Sequence, residues 1–330
     1  MTGEILLDVR DLRVSFRAGG GAFEAVSGVT FQLKRGEVLS IVGESGSGKS
    51  VALKAVMRLL PAIADVSGSA RFDGADLFAM SESEMRRVRG GRIAMIFQDP
   101  LTAFNPVQRI GDQIAEMLYL HNDQFDRTQL RKRSIELLDL VAIPDAARRV
   151  DRYPHEFSGG MRQRAMIAMA LANDPEVLVA DEPTTALDVT VQAQILDVLR
   201  DLQRERDIGL VLVTHDLGVV ANIADRVAVM YAGRLVETGN VDDLFADPRH
   251  PYTRGLIASV PRIDRRGDRL TPIPGVPPAL VERPPGCAFA PRCTFAQSIC
   301  QSERPASRPA GKTVAACHFA DRPVLHAGAE

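Results

Sequence analysis

The chain has 330 residues, 45% of them apolar and 25% charged, with a formal net charge of −2. That length exceeds one ordinary hydrophobic core and points to a large domain with a smaller appendage. The composition excludes a disordered chain, and the near-balanced charge argues against a protein that holds nucleic acid electrostatically.

The opening stretch, MTGEILLDVRDLRVSF, carries acids where a signal peptide would be basic. No run approaches the roughly 18 uncharged apolar residues of a membrane helix. The expectation is a cytosolic chain that reaches any membrane through partners. Residues 4–38 alternate apolar and polar side chains in LLDVRDLRVSF and AVSGVTFQL, a pattern of antiparallel strands forming a β layer.

The apolar run VLSIVG then leads into ESGSGKS. Gly43, Glu44, Ser45, Gly46, Ser47, Gly48, Lys49 and Ser50 fit G-x-x-x-x-G-K-[ST], between a predicted strand and a helical pattern over 51–60. Glycines let successive N–H groups wrap phosphates, the helix N-terminus adds partial positive charge, and Lys49 adds a point charge. The Ser50 hydroxyl is the expected Mg²⁺ ligand. A phosphate loop alone does not distinguish kinases, GTPases and ATPases.

Three more polar groups follow buried-strand patterns. Gln98 ends IAMIFQ, where its amide can reach metal or water; Asp181 and Glu182 end VLVA between Pro175 and Pro183; His215 ends GLVLVTH. In doubly wound sheets ligands sit beyond the carboxyl ends of the strands, where such groups converge. Adjacent carboxylates then divide the work: Asp181 holds the Mg²⁺ hydration shell, and Glu182 orients and deprotonates the attacking water. His215 is placed to sense the γ-phosphate. In FSGGMRQR, Ser158 reads as a helix N-cap, with Gly159 and Gly160 allowing close backbone approach, so that a second phosphate-binding helix start is expected.

Composition changes near residue 248. Thirteen of the twenty prolines lie in the last 83 residues, so that segments such as TPIPGVPPALVERPPG can be neither helix interior nor central strand, and a loop-rich tail is expected. All four cysteines fall in 31 residues of that tail: Cys287, Cys293, Cys300 and Cys317. A reducing compartment disfavours disulfides, and structural zinc usually shows tighter Cys pairs. From the residues themselves an iron–sulfur cluster, zinc and unligated core thiols all remain open.

The order of phosphate loop, Gln98, Ser158-Gly159-Gly160, Asp181-Glu182, the ALD of Ala186–Asp188 and His215 resembles the ATP-binding subunits of ABC transporters, over residues 4 to about 245. The stretches FQDPLTAFNPV and HPYTRGL narrow the resemblance to the oligopeptide/dipeptide (peptide/nickel) importer family. It implies an α/β P-loop NTPase core with an antiparallel β layer, spanning 1–247 with a helical subdomain at about 99–172, and a proline- and cysteine-rich extension at 248–330. It implies that Phe16 stacks on adenine and that Ser50, Gln98 and Asp181 serve Mg²⁺. Ser158, Gly159, Gly160 and Asp188 would meet the ATP held by a partner subunit.

Met161, standing where the signature glutamine is usual, resembles the D-type subunit that pairs with a different ATPase chain. Two transmembrane permease subunits and a periplasmic or lipid-anchored binding protein would complete an importer at the cytoplasmic face of the inner membrane. Its cargo would be di- or oligopeptides, with nickel chelates, glutathione or opines as alternatives; a soluble ABC ATPase that transports nothing is the competing reading. The pattern GC-x-F-x-PRC at Gly286, Cys287, Phe289, Pro291, Arg292 and Cys293, with Cys300 and Cys317, is associated in that family with a [4Fe-4S] cluster, zinc being the alternative.

Overall fold

The structure, a computed structural model, describes residues 3–18, 21–122, 124–185, 187–259, 272–278 and 284–321. Ala186 and parts of the proline-rich stretch singled out in the sequence lie outside the described residues. The chain forms two compact units, each assembled from separate segments: Met1–Leu7, Leu33–Val38 and Arg71–Val213 in the first, Asp8–Gln32, Leu39–Ala70 and Thr214–Glu330 in the second.

In the first unit, strands Ile93–Ile96, Val177–Asp181 and Gly209–Thr214 run parallel, Ile93 opposite Val177 and Val177 opposite Gly209. Every residue of the three strands is buried. Their unbroken apolar runs are therefore those of a sheet covered on both faces, not of a half-wetted one. Helices Ile110–His121, Arg127–Leu140 and Gly159–Ala170 pack on one another. Asp126 starts the second with a reciprocal capping box to Gln129, which satisfies N–H groups the helix leaves unpaired.

Most residues of the flanking β layer belong to the second unit; in that layer strand Ile5–Ala18 lies between Gly21–Lys34 and Ala64–Phe72. Strand Val38–Val42 runs parallel to Arg226–Tyr231. Arg226–Tyr231 turns back antiparallel as Arg234–Asn240.

Strands Thr313–Ala315 and Arg308–Ala310 of the C-terminal extension then add antiparallel to that hairpin, covering an edge that would otherwise present unpaired backbone groups. These two strands were not expected in a loop-rich tail; Arg308–Ala310 pairs locally with Thr313–Ala315, but the partner that anchors the hairpin, Glu237–Thr238, is far away in sequence, so no local pattern announces it. Pro309 sits in the outermost strand, where a missing donor is tolerated.

One buried carboxylate fastens this region. Glu237, 1% exposed, accepts from the N–H groups of Arg249 and His250, each at 2.8 Å, and from Thr313 Oγ1 at 2.9 Å. The edge strand, the start of helix Pro251–Ala258 and the extension are thereby tied to one side chain. No described helix is long and apolar enough to cross a membrane.

Candidate functional site

In the second unit, residues 43–48 connect strand Val38–Val42 to helix Lys49–Val56. Two of the glycines are needed for room. A Cβ on Gly43 would stand 2.1 Å from the Met230 carbonyl oxygen, and one on Gly48 would meet Ala25 O at 2.8 Å with φ at +102°. The loop is pinned by Gly233, whose N–H donates to Ser47 O at 2.7 Å.

Lys49 is 4% exposed, and its Nζ donates to Gly43 O at 2.7 Å, Glu44 O at 2.9 Å and Ser47 Oγ at 3.4 Å, which fixes its charge inside the loop. The helix has no acid in its first turn and no side-chain cap. Its positive end is left for an anion. Ser50 follows Lys49 in the first turn. Phe16 stacks on Phe23 with centroids 5.5 Å apart, an aromatic partner the sequence reading did not identify. His215 is exposed at the end of strand Gly209–Thr214.

In the first unit, Asp181 ends its strand 2% exposed. Glu182 follows with φ at +49°, a left-handed conformation that is uncommon for a side-chain-bearing residue and costs about 1–3 kcal/mol. Its N–H donates to Val213 O at 3.0 Å. The Glu182 carboxylate accepts from Gln98 Nε2 at 3.1 Å and from Thr185 Oγ1 at 2.8 Å. Gln98 and Glu182, 84 positions apart, are thus brought together. Thr185 is a contact the sequence reading missed; TT after DEP is too ordinary a turn sequence to signal it.

Ser158 caps helix Gly159–Ala170, its Oγ accepting from Met161 N–H at 3.3 Å, as expected. The two glycines behind it differ. A Cβ on Gly160 would stand 2.6 Å from Val191 Cγ1, so this glycine lets the helix pack on Val189–Arg206; one on Gly159 would meet only Leu187, at 3.8 Å. Both glycines are half-buried, but only Gly159 has room for a Cβ. Asp188 caps Val189–Arg206, accepting from Val191 N–H at 2.9 Å.

The four cysteines are free thiols, Cys300 and Cys317 buried, Cys287 and Cys293 half-buried. All four line one cavity with Phe289, Phe295 and Phe319. Burial pushes the Cys287 and Cys317 thiols up, and that of Cys293 to about 11, so a thiolate here needs a compensating positive charge. Among the described residues, no group of three or more His, Cys, Asp or Glu side chains is placed to hold a metal ion. The described side chains thus assemble a ligand set neither for the expected [4Fe-4S] cluster nor for the zinc alternative.

A phosphate loop, a capped Ser-Gly-Gly helix and a glutamate held by a glutamine define an ATP-binding cassette ATPase. Residues 26–185 match the ABC transporter family and residues 236–300 match the family described as oligopeptide/dipeptide transporter, C-terminal region. The oligopeptide transport ATP-binding protein OppD of Bacillus subtilis is 55% identical over 303 residues, covering 91% of this chain and 84% of that protein. The dipeptide transport ATP-binding protein DppD of the same organism is 52% identical over 304 residues, covering 92% and 90%. The chain belongs to this family of ABC transporter ATP-binding proteins.

Among solved structures, the dimeric ATP-binding cassette MJ0796 in a post-hydrolysis state with ADP and Pi is similar at a TM-score of 0.65 and 27% identity, over 72% of this chain and 99% of that one. The chain is accordingly an ATP-binding and ATP-hydrolysing subunit of an ABC transporter.

Proposed function

We propose that this subunit powers an importer of di- or oligopeptides. The observation that carries this reading is the match over both the cassette and the C-terminal region to relatives named for oligopeptide and dipeptide transport. The subunit works at the cytoplasmic face of the inner membrane beside two permease subunits and a substrate-binding protein. Met161 in the signature supports pairing with a different ATPase chain. The domain division is 1–247 for the cassette, with its helical subdomain at about 99–172, and 248–330 for the extension.

The ATP chemistry follows from the residues. Gly43–Ser50 wrap the phosphates, Lys49 supplies the fixed charge and Phe16 stacks on adenine. Ser50, Gln98 and Asp181 offer the oxygen donors that suit Mg²⁺, which when bound neutralises charge on the β- and γ-phosphates. Thr185 and Gln98 both donate to the Glu182 carboxylate and hold it in one orientation. That is the requirement for a group that aligns water and accepts its proton. His215 reports the γ-phosphate, while Ser158, Gly159, Gly160 and Asp188 meet the partner's nucleotide.

The cysteines hold a [4Fe-4S] cluster in this reading. What supports it is that Cys287, Cys293, Cys300 and Cys317 all line one cavity, and four cysteine thiolates are the ligand set such a cluster takes. Bound there, the cluster would supply folding free energy to a segment too proline-rich for its own core.

Copurification tests the transport reading. Recovery of the chain with two multi-span membrane proteins and peptide-stimulated ATPase activity is expected in the presence of the binding protein. Recovery with ribosomes or DNA instead would refute it.

A further inference from the structure

Arg292 lies in the turn Ala290–Arg292 of the extension, and its side chain is 4% exposed. It does not face the cysteine cavity. Its Nη1 donates to Glu44 Oε2 at 2.6 Å and its Nη2 to Glu44 Oε1 at 3.0 Å, a two-pronged pair across 248 positions. Its Nε donates to Pro274 O at 2.8 Å, and the guanidinium lies 5.8 Å from the Tyr231 ring and 5.9 Å from that of Phe289.

Glu44 is the first variable position of the phosphate loop. Its N–H donates to the Tyr252 hydroxyl oxygen at 2.9 Å, and its carbonyl accepts from Lys49 Nζ at 2.9 Å. Glu44 is therefore held from the extension side at its N–H by Tyr252 and at its carboxylate by Arg292, and from the loop side at its carbonyl by Lys49.

Two physical consequences follow. A carboxylate in a loop that wraps a triphosphate opposes it by like-charge repulsion, and a guanidinium in contact removes that opposition. A bidentate fork also fixes orientation, which a single-point cation does not. Both act on the peptide that positions Lys49.

We propose that Arg292 is a positioning residue for ATP: by neutralising and orienting Glu44 it sets the conformation and charge of the phosphate loop, so that the C-terminal extension determines nucleotide affinity. The inference rests on the phosphate loop as the ATP site and stands whether or not the cysteines hold a cluster.

The test uses the full chain with trinitrophenyl-ATP binding and steady-state ATP hydrolysis. Arg292→Gln is expected to raise the nucleotide Kd and the ATP KM about tenfold, because the half-buried Glu44 carboxylate loses its partner and faces the phosphates uncompensated, with kcat within about twofold of wild type. Arg292→Lys should fall between, keeping charge without the fork. The double variant Glu44→Gln/Arg292→Gln should return the Kd to within about threefold of wild type, since the opposing charge is gone.

A structural arginine would lower thermal stability in both the single and the double variant, with no rescue of binding. An unchanged Kd in Arg292→Gln, or a double variant as weak as the single one, overturns the proposal. If Arg292→Gln does not fold, Tyr252→Phe takes its place. A KM raised a few-fold at constant kcat supports the extension's hold on Glu44, and an unchanged KM overturns it.

Discussion

His250 provides a test of how the extension is fastened to the cassette. It is fully buried beside Phe289, its Nδ1 accepts from Tyr252 N–H at 3.0 Å, and its own N–H donates to Glu237. The acceptor role requires a neutral ring, and desolvation lowers its pKa from 6.5 to about 3. Both folded and unfolded states carry a neutral imidazole above 6.5, so no pH-linked cost arises there. As the pH falls below 6.5 the unfolded chain takes up a proton that the folded chain refuses, and stability is lost down to about pH 3. Each pH unit in that window costs about 1.4 kcal/mol, so moving from about pH 7.5 to about pH 5 removes about 2 kcal/mol.

The assay compares wild type with His250→Asn, which retains an N-cap acceptor for helix Pro251–Ala258 but does not titrate. Urea unfolding followed by amide-exchange protection of residues 308–315 is read at both pH values. The wild type should lose about 2 kcal/mol more than the variant on acidification. Equal losses in the two proteins would refute a buried neutral histidine.

Further outcomes follow from the same geometry. Gly48→Ala places a Cβ 2.8 Å from Ala25 O at a left-handed φ, and should raise the ATP Kd by at least about tenfold, measured by equilibrium binding. Gly160→Val should abolish ATPase activity in the assembled complex while leaving ATP binding to the isolated chain within about twofold, because the clash with Val191 moves only the signature helix. Glu237→Ala leaves the buried His250 N–H and the half-buried Arg249 N–H without their acceptor and the Thr313 hydroxyl with only Ala310 O, costing about 2 kcal/mol or more and loosening the extension to limited proteolysis. Anaerobic purification should yield brown protein with about four irons per chain; colourless, iron-free protein removes the cluster from the account.

The reaction was legible in the sequence because its parts are local. Gly43–Ser50 declares itself as a loop between a strand and a helix, and the runs ending at Gln98, Asp181 and Thr214 read as buried strands because parallel sheets need apolar side chains on both faces. What joins distant positions was not legible. Nothing near Gln98 announces that it meets Glu182, and the short hairpin over 308–315 is anchored because Thr313–Ala315 pairs with the open edge of Arg234–Asn240. Arg292 belongs to a cysteine pattern in sequence, yet its partner is Glu44 of the phosphate loop, a position the loop motif leaves unspecified. Long-range ion pairs carry no periodicity, so sequence pattern is blind to them.

The central claim, that this subunit hydrolyses ATP with Glu182 as the group that activates water, is tested most directly by Glu182→Gln in the assembled transporter. The amide keeps the shape and an acceptor for Thr185 but cannot take a proton from water. ATP binding within about twofold of wild type, together with turnover reduced at least about a hundredfold, is the predicted result. Turnover within about twofold of wild type would contradict it.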